Sequence, residues 1–191
     1  MRRLIAALLA GLPLTIATAE AETLRVSYNV TAGASWDLAA HRFKDLVEEG
    51  SGGDITVELY PNATLAQGND RVEIEMAQAG AIDIVIKSSG WLSSLDPRWS
   101  ALALPWIFPD HTTANAVLAG PVGEALDARL MEHGLVPLAW SESGGFFHVY
   151  SVDKPISSPA DLAGVKLRLP GIPPWVGVFQ ELGAVPVTMS F

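Results

Sequence analysis

An arginine on the polar side of a short apolar strand is the group in this sequence best suited to recognising an anion. Val165, Leu167 and Leu169 alternate with Lys166 and Arg168, the period-two pattern of a half-buried strand. Pro170 and Gly171 stop that strand, so Arg168 stands near its end, where a guanidinium can grip a carboxylate through two parallel hydrogen bonds. The plainer use of Arg168 is an ion pair with Asp161 or Glu181. Other chemistries fare worse. Ser141-Glu142-Ser143-Gly144-Gly145 approaches a nucleophile elbow, yet its first glycine is replaced and no histidine follows Asp153 or Asp161. A serine hydrolase built on Ser143 is therefore only the alternative. His41, His111, His133 and His148 have no metal-ligand spacing, and Gly50-Ser51-Gly52-Gly53 lacks the lysine of a phosphate-cradling loop. We expect no catalytic residue, metal or cofactor.

These residues need a frame, and the sequence alternates strand and helix as an α/β fold does. Leu24–Val30 reads as a strand. Ser35 caps a helix over 36–49 with Leu38, Ala39, Phe43, Leu46 and Val47 on one face. Strands follow at 55–60, 82–86 and 135–140, with helices from Asp70 to Ala79 and from Thr112 to His133, the latter broken at Gly120-Pro121. Residues 90–110 form a Pro- and Trp-rich connection whose Trp106-Ile107-Phe108 cluster is expected in the core. Beyond Arg168, the Pro173-Pro174 pair opens a helix carrying Trp175, Val178, Phe179 and Leu182, with Gly183 as its C-cap. Val185, Val187, Met189 and Phe191 alternate as a last strand.

Hydrophobic residues make up 49% and charged residues 17%, so the chain can bury a core. Some of that apolar content is an export leader over residues 1–21. Arg2 and Arg3 precede an apolar run, Leu4 to Ile16, and the small-residue patterns Ala17-Thr18-Ala19 and Ala19-Glu20-Ala21 offer cleavage. The run is short for a membrane span. Of 12 basic and 21 acidic residues, the leader holds Arg2, Arg3 and Glu20, leaving a net charge of −10. That surface argues against nucleic acid as a partner, and an anionic ligand needs a local cation instead of a general field. Cysteine is absent, so an oxidising compartment poses no thiol hazard.

The segment Asp161 to Phe191 closely resembles the solute-binding proteins of TRAP transporters, through Asp161, Leu162, Gly164, Lys166, Arg168, Pro170, Leu182, Gly183, Ala184, Pro186, Met189, Ser190 and Phe191. The resemblance runs back to about Leu24. It implies an α/β, periplasmic-binding-protein-like two-lobed fold, with 22–143 as the first lobe and 144–191 as the start of an incomplete second. It also implies a periplasmic receptor that captures an organic acid and delivers it to the permease subunits of a TRAP transporter. A non-transport sensor or scaffold of the same fold is a further alternative. Within the resemblance Arg168 is the carboxylate anchor, and Asn29, Trp36 and Trp91 line the cleft from the first lobe. In Gly144–Tyr150 this sequence departs from the family pattern. Aligned on Gly145 and Pro155-Ile156, Phe147 stands where many members carry a second arginine. It either offers an apolar, stackable wall or packs in the core. The wall favours a monocarboxylate, or an acid with a bulky or sugar-like body, over a small dicarboxylate. His148 is either a donor to the ligand or a structural histidine.

Overall fold

The computed structural model describes residues 21–141 and 145–189. The expected leader (all but Ala21), the lobe boundary at 143/144, Ser143, Ser190 and Phe191 lie outside the described residues. The first unit is a parallel three-stranded sheet in the order β2-β1-β3, built from β1 (Glu22–Tyr28), β2 (Ile55–Tyr60) and β3 (Ile84–Ile86). As the central strand, β1 is covered on both faces where it ends. Val26, Ser27 and Tyr28 are all buried, the both-sides burial expected of a parallel strand.

Helix α1 (Ser35–Gly50) crosses from β1 to β2. Ser35 does not cap it, because Ser35 is already helical and Ala34 holds the cap position with no side-chain bond. Asp37, in the first turn, holds the preceding loop instead. Its carboxylate accepts the Gly33 N–H at 2.8 Å and the Tyr28 hydroxyl at 2.7 Å, tying the β1–α1 loop down. The packed stripe is Trp36, Ala40, Phe43 and Val47 over Val26, Tyr28 and Val57, at a regular helical period. The expected face is thus rotated, and Leu38 and Leu46 point to solvent. Gly52 and Gly53 end the turn at φ +63 and +92, conformations that cost glycine little.

Helix α2 (Asp70–Gln78) is capped by Asn69, whose side chain accepts the Arg71 and Val72 N–H groups. After β3, two 3-10 turns (Ser89–Ser94 and Pro97–Ala103) lead to α3 (His111–Leu118) and α4 (Pro121–Glu132), broken at Gly120-Pro121 as expected. A second core gathers Ile74, Leu92, Trp99 and Leu130, with Trp140 stacked on Trp99 at 5.7 Å. Residues 135–140 form neither helix nor strand, so the expected strand has no partner among the described residues. Leu135 and Trp140 pack on that core while Val136 and Leu138 face water, so side-chain burial holds the segment without a ladder. No helix among the described residues is long and apolar enough to cross a membrane.

The second unit is a parallel pair, β4 (Lys166–Leu169) and β5 (Val185–Thr188), joined by α5 (Pro173–Glu181). Leu167 and Leu169 face Phe179, Leu162 and Ala184, and Gly183 takes φ +82 beyond the helix end. The alternation read at 165–169 is therefore present, and it leaves Arg168 on the opposite face.

One polar chain ties the C-terminal ends of β1 and β3 to α2. Lys87, immediately after β3, contacts both Asp70 and Glu73, with its side chain only 3% exposed. Glu73 accepts the Ser27 hydroxyl at 2.5 Å, and Asp70 accepts the Asn29 amide at 2.6 Å. Removing the cation leaves two carboxylates unpaired in the interior. In urea titrations Lys87→Met should lose about 3 kcal/mol of stability, and a loss under about 0.5 kcal/mol would contradict this role.

Acid should act through Asp37 and Glu48. Asp37 is held below the usual carboxylate range, first by the Gly33 N–H and then by the Tyr28 hydroxyl. Glu48 is lowered by Lys44 and by the Val57 N–H. A depressed folded pKa gives stability that is complete above the unfolded value, about 4, and is lost as pH falls through the folded value. These two groups should leave the melting temperature flat between pH 7 and 5 and lower it below about pH 4. Asp37→Asn should flatten that acid limb in thermal melts, and an unchanged limb would exclude Asp37 as a contributor.

Candidate functional site

The strand order determines where a site can form on the first unit. From β1 the chain moves out to β2 on one side, then returns to β3 on the other, so the order switches at β1. Parallel sheets bind ligands in the crevice outside the strand ends at such a switch. Here that crevice lies beyond Tyr28 and Ile86, where Asn29 and Lys87 stand. Asn29 is half-buried, and its amide nitrogen is turned to Asp70, which fixes the side chain's rotamer. Lys87 is sequestered by Asp70 and Glu73, so it organises this corner and offers no exposed charge.

Sequence reasoning did not single out Lys87, Asp70 or Glu73. A signal existed: a lysine directly ending the apolar run Ile82–Ile86 must be paired if buried, and Asp70 and Glu73 are one helical turn apart. Trp36, in the first turn of α1, packs partly buried against the Val26–Tyr28 core. Trp91 also packs partly buried, against the Ile74–Trp99 core. Its ring lies over Gly171, where an added methyl would sit 3.6 Å from Trp91 Cη2.

On the second unit Arg168 is half-buried on β4, in register with Val187 of β5. It shares its sheet face with Lys166, Val185 and Val187, while the flanking leucines anchor the strand from the other side. The strand is thus held rigidly by packing that does not involve the guanidinium. Phe147 is 60% exposed, which removes the reading that it packs in the core. Its ring meets Trp175 edge-on, with centroids 4.7 Å apart and planes at 73°. His148 is exposed, with its ring 6.4 Å from that of Tyr150.

The Trp106-Ile107-Phe108 cluster also differs from expectation. Trp106 adopts φ +61 and is 73% exposed, and Ile107 is exposed as well. The left-handed turn carries the Trp106 ring outward, to 6.2 Å from Phe179 of α5. The structure therefore brings Phe147, Trp175, Trp106 and Phe179 to the meeting line of the two units, and it keeps Asn29 with Lys87 at the switch crevice. Two open grooves, one lined by Val149 and Ser151–Ile156 and the other by His41, Lys44 and Val57–Tyr60, include none of the six expected site residues. Among the described residues no group of three or more His, Cys, Asp or Glu is placed to hold a metal ion.

This arrangement has close counterparts. Residues 26–191 match the family described as bacterial extracellular solute-binding protein, family 7. A 2,3-diketo-L-gulonate-binding periplasmic protein of Escherichia coli is 34% identical over 171 residues, covering 90% of this chain and 51% of that protein. Among solved structures, a TRAP periplasmic solute-binding protein from Roseobacter denitrificans with bound β-D-glucuronate superposes with a TM-score of 0.79 at 32% identity, over 88% of this chain and 55% of that one. One from Sulfurospirillum deleyianum with bound succinate gives 0.81 at 31% identity, over 90% and 55%. The chain spans about half the length of these relatives. A two-lobed α/β scaffold and a match across most of the sequence have one meaning: this chain belongs to the family-7 bacterial extracellular solute-binding proteins, the TRAP type.

Proposed function

We propose that the chain belongs to an exported periplasmic receptor that captures an organic acid between two lobes and delivers it to a TRAP-type membrane permease. The work is binding and closure; no bond is made or broken. The observation that carries this reading is Arg168, a guanidinium near the end of a packed strand in a chain whose net charge is −9. In so acidic a protein a carboxylate has to be recognised by a local, geometrically matched cation, and a planar two-donor fork supplies that match. The relatives support an acid as the ligand, since one is named for 2,3-diketo-L-gulonate and others hold glucuronate or succinate. A ligand that contacts both lobes favours the closed form by its extra contacts there.

Phe147 shapes the choice among acids. Where the family pattern has a second cation, this chain has an exposed aromatic ring, which favours one carboxylate and a bulky or hydroxylated body.

Two measurements test the reading. Arg168→Ala should weaken calorimetric binding of D-glucuronate by roughly 30-fold or more, because the buried carboxylate loses its charged partner. Unchanged affinity would remove Arg168 from the site. Phe147→Arg should raise affinity for succinate relative to glucuronate by about tenfold, the effect of one added charged hydrogen bond. A ratio that stays constant would mean Phe147 does not face the ligand.

A further inference from the structure

The two units meet along a seam whose contacts are unusually specific. Ile172, just before α5, is buried in a notch formed by Gly90 and Ala103. A Cβ added at Gly90 would lie 2.8 Å from Ile172 Cδ1, so the notch exists only because residue 90 has no side chain. Three residues further on, Trp175 donates its indole N–H to the backbone carbonyl of Ala103 at 2.5 Å, a bond between residues 72 apart in sequence. The same indole then meets Phe147 edge-on.

An indole has two side-chain torsions. Its backbone is fixed by α5, and its only donor is committed to a carbonyl on the other unit, so the plane of the ring is determined. Phe147 lies outside the helices and strands, and its ring packs edge-on against Trp175, which orients it. We propose that Trp175 is a specificity-positioning residue: pinned across the seam by Ala103, it sets the angle of the Phe147 wall and thereby the preference for a hydroxylated ring acid over a short dicarboxylate. The inference rests on the receptor reading above. Its physics is that an aromatic face is electron-rich. It attracts the weakly positive C–H face of a sugar-like ring and gains nothing from a second carboxylate. The wall works only at the right angle, and the angle comes from the other unit.

The test uses the full chain and three variants: Trp175→Phe, which keeps a ring but loses the donor, Trp175→Ala, and Phe147→Leu. Circular dichroism checks that each folds. Calorimetry with D-glucuronate and with succinate should show glucuronate affinity falling about fivefold in Trp175→Phe and about tenfold in Trp175→Ala, the scale of one oriented aromatic contact, with succinate changed less than twofold. Adding Phe147→Leu to Trp175→Ala should cost nothing further, since both changes remove one wall. Equal losses for the two acids, or full additivity, would overturn the proposal, because a merely structural role moves both ligands together. A second readout needs no ligand. In Trp175→Phe the backbone amides of 145–150 should exchange hydrogen faster while those of β1 do not, and unaltered exchange would also overturn it. If the unmodified chain bound neither acid, the receptor reading would fall, and the exchange measurement would decide the seam pin by itself.

Discussion

An ammonium group almost cut off from water has to lie against anionic partners, and the first unit is organised around Lys87 doing so. Asp70 and Glu73 flank it, Ser27 donates to the other oxygen of Glu73, Asn29 donates to the same Asp70 oxygen that Lys87 contacts, and together these five residues connect β1, α2 and the end of β3. Such a set is not obviously stabilising compared with a well-packed apolar core, since desolvating three charges is expensive. Its value is positional. Each member has one arrangement that satisfies all the others, so the strand ends cannot slide relative to α2 without exposing a buried charge. Asn29 at the switch crevice inherits that rigidity.

A second constraint concerns the outer edge of the sheet. An unpaired edge strand invites pairing with another chain. Lys44 and Glu48 on α1, and Ser51 just after its end, reach across to β2 at one-turn intervals. Lys44 donates to the Val57 carbonyl at 2.6 Å, Glu48 accepts the Val57 N–H at 2.9 Å, and Ser51 accepts the Ile55 N–H at 3.1 Å. Side chains on the helix therefore substitute for a missing neighbour strand, and the same helix packs its apolar stripe on the sheet face. On the Arg168 face of the β4–β5 pair, Val185 and Val187 are exposed.

How much of this was legible follows from range. Periodicity and punctuation located the strands at 55–60 and 166–169, the helix break at Gly120-Pro121 and the helix after Pro173, because those signals are local. The packed face of α1 was misplaced by a small rotation, since Leu38 reads as core by type but only the sheet below decides which stripe is covered. Leu135–Trp140 has a strand's pattern without a strand's partner, and pairing is a property of two segments. Trp106 was assigned inward by hydrophobicity, whereas a left-handed backbone turn carries it out to the seam. The Lys87 set spans β1, α2 and β3, so no window of sequence contains it. Arg168 was recognisable because its strand, its stop signal and its neighbours all lie within ten residues.

In the receptor proposed above, the charge balance divides specificity between the two units. A bidentate arginine binds almost any carboxylate, so Arg168 by itself cannot distinguish one acid from another. In a protein of net charge −9 an extra cation would broaden the anions accepted, while the Lys87 ammonium is already neutralised by Asp70 and Glu73. Discrimination then falls to uncharged groups with fixed geometry. The aromatic rings along the seam are such groups, and Phe147 is the one left most open to solvent among the pair it forms with Trp175. Because Trp175 is held by Ala103, the apolar half of recognition depends on the contact between units, whereas the charged half depends only on β4. In the proposed receptor, capture of a carboxylate would therefore precede selection of its body, and closure would be the step at which the two requirements are imposed together.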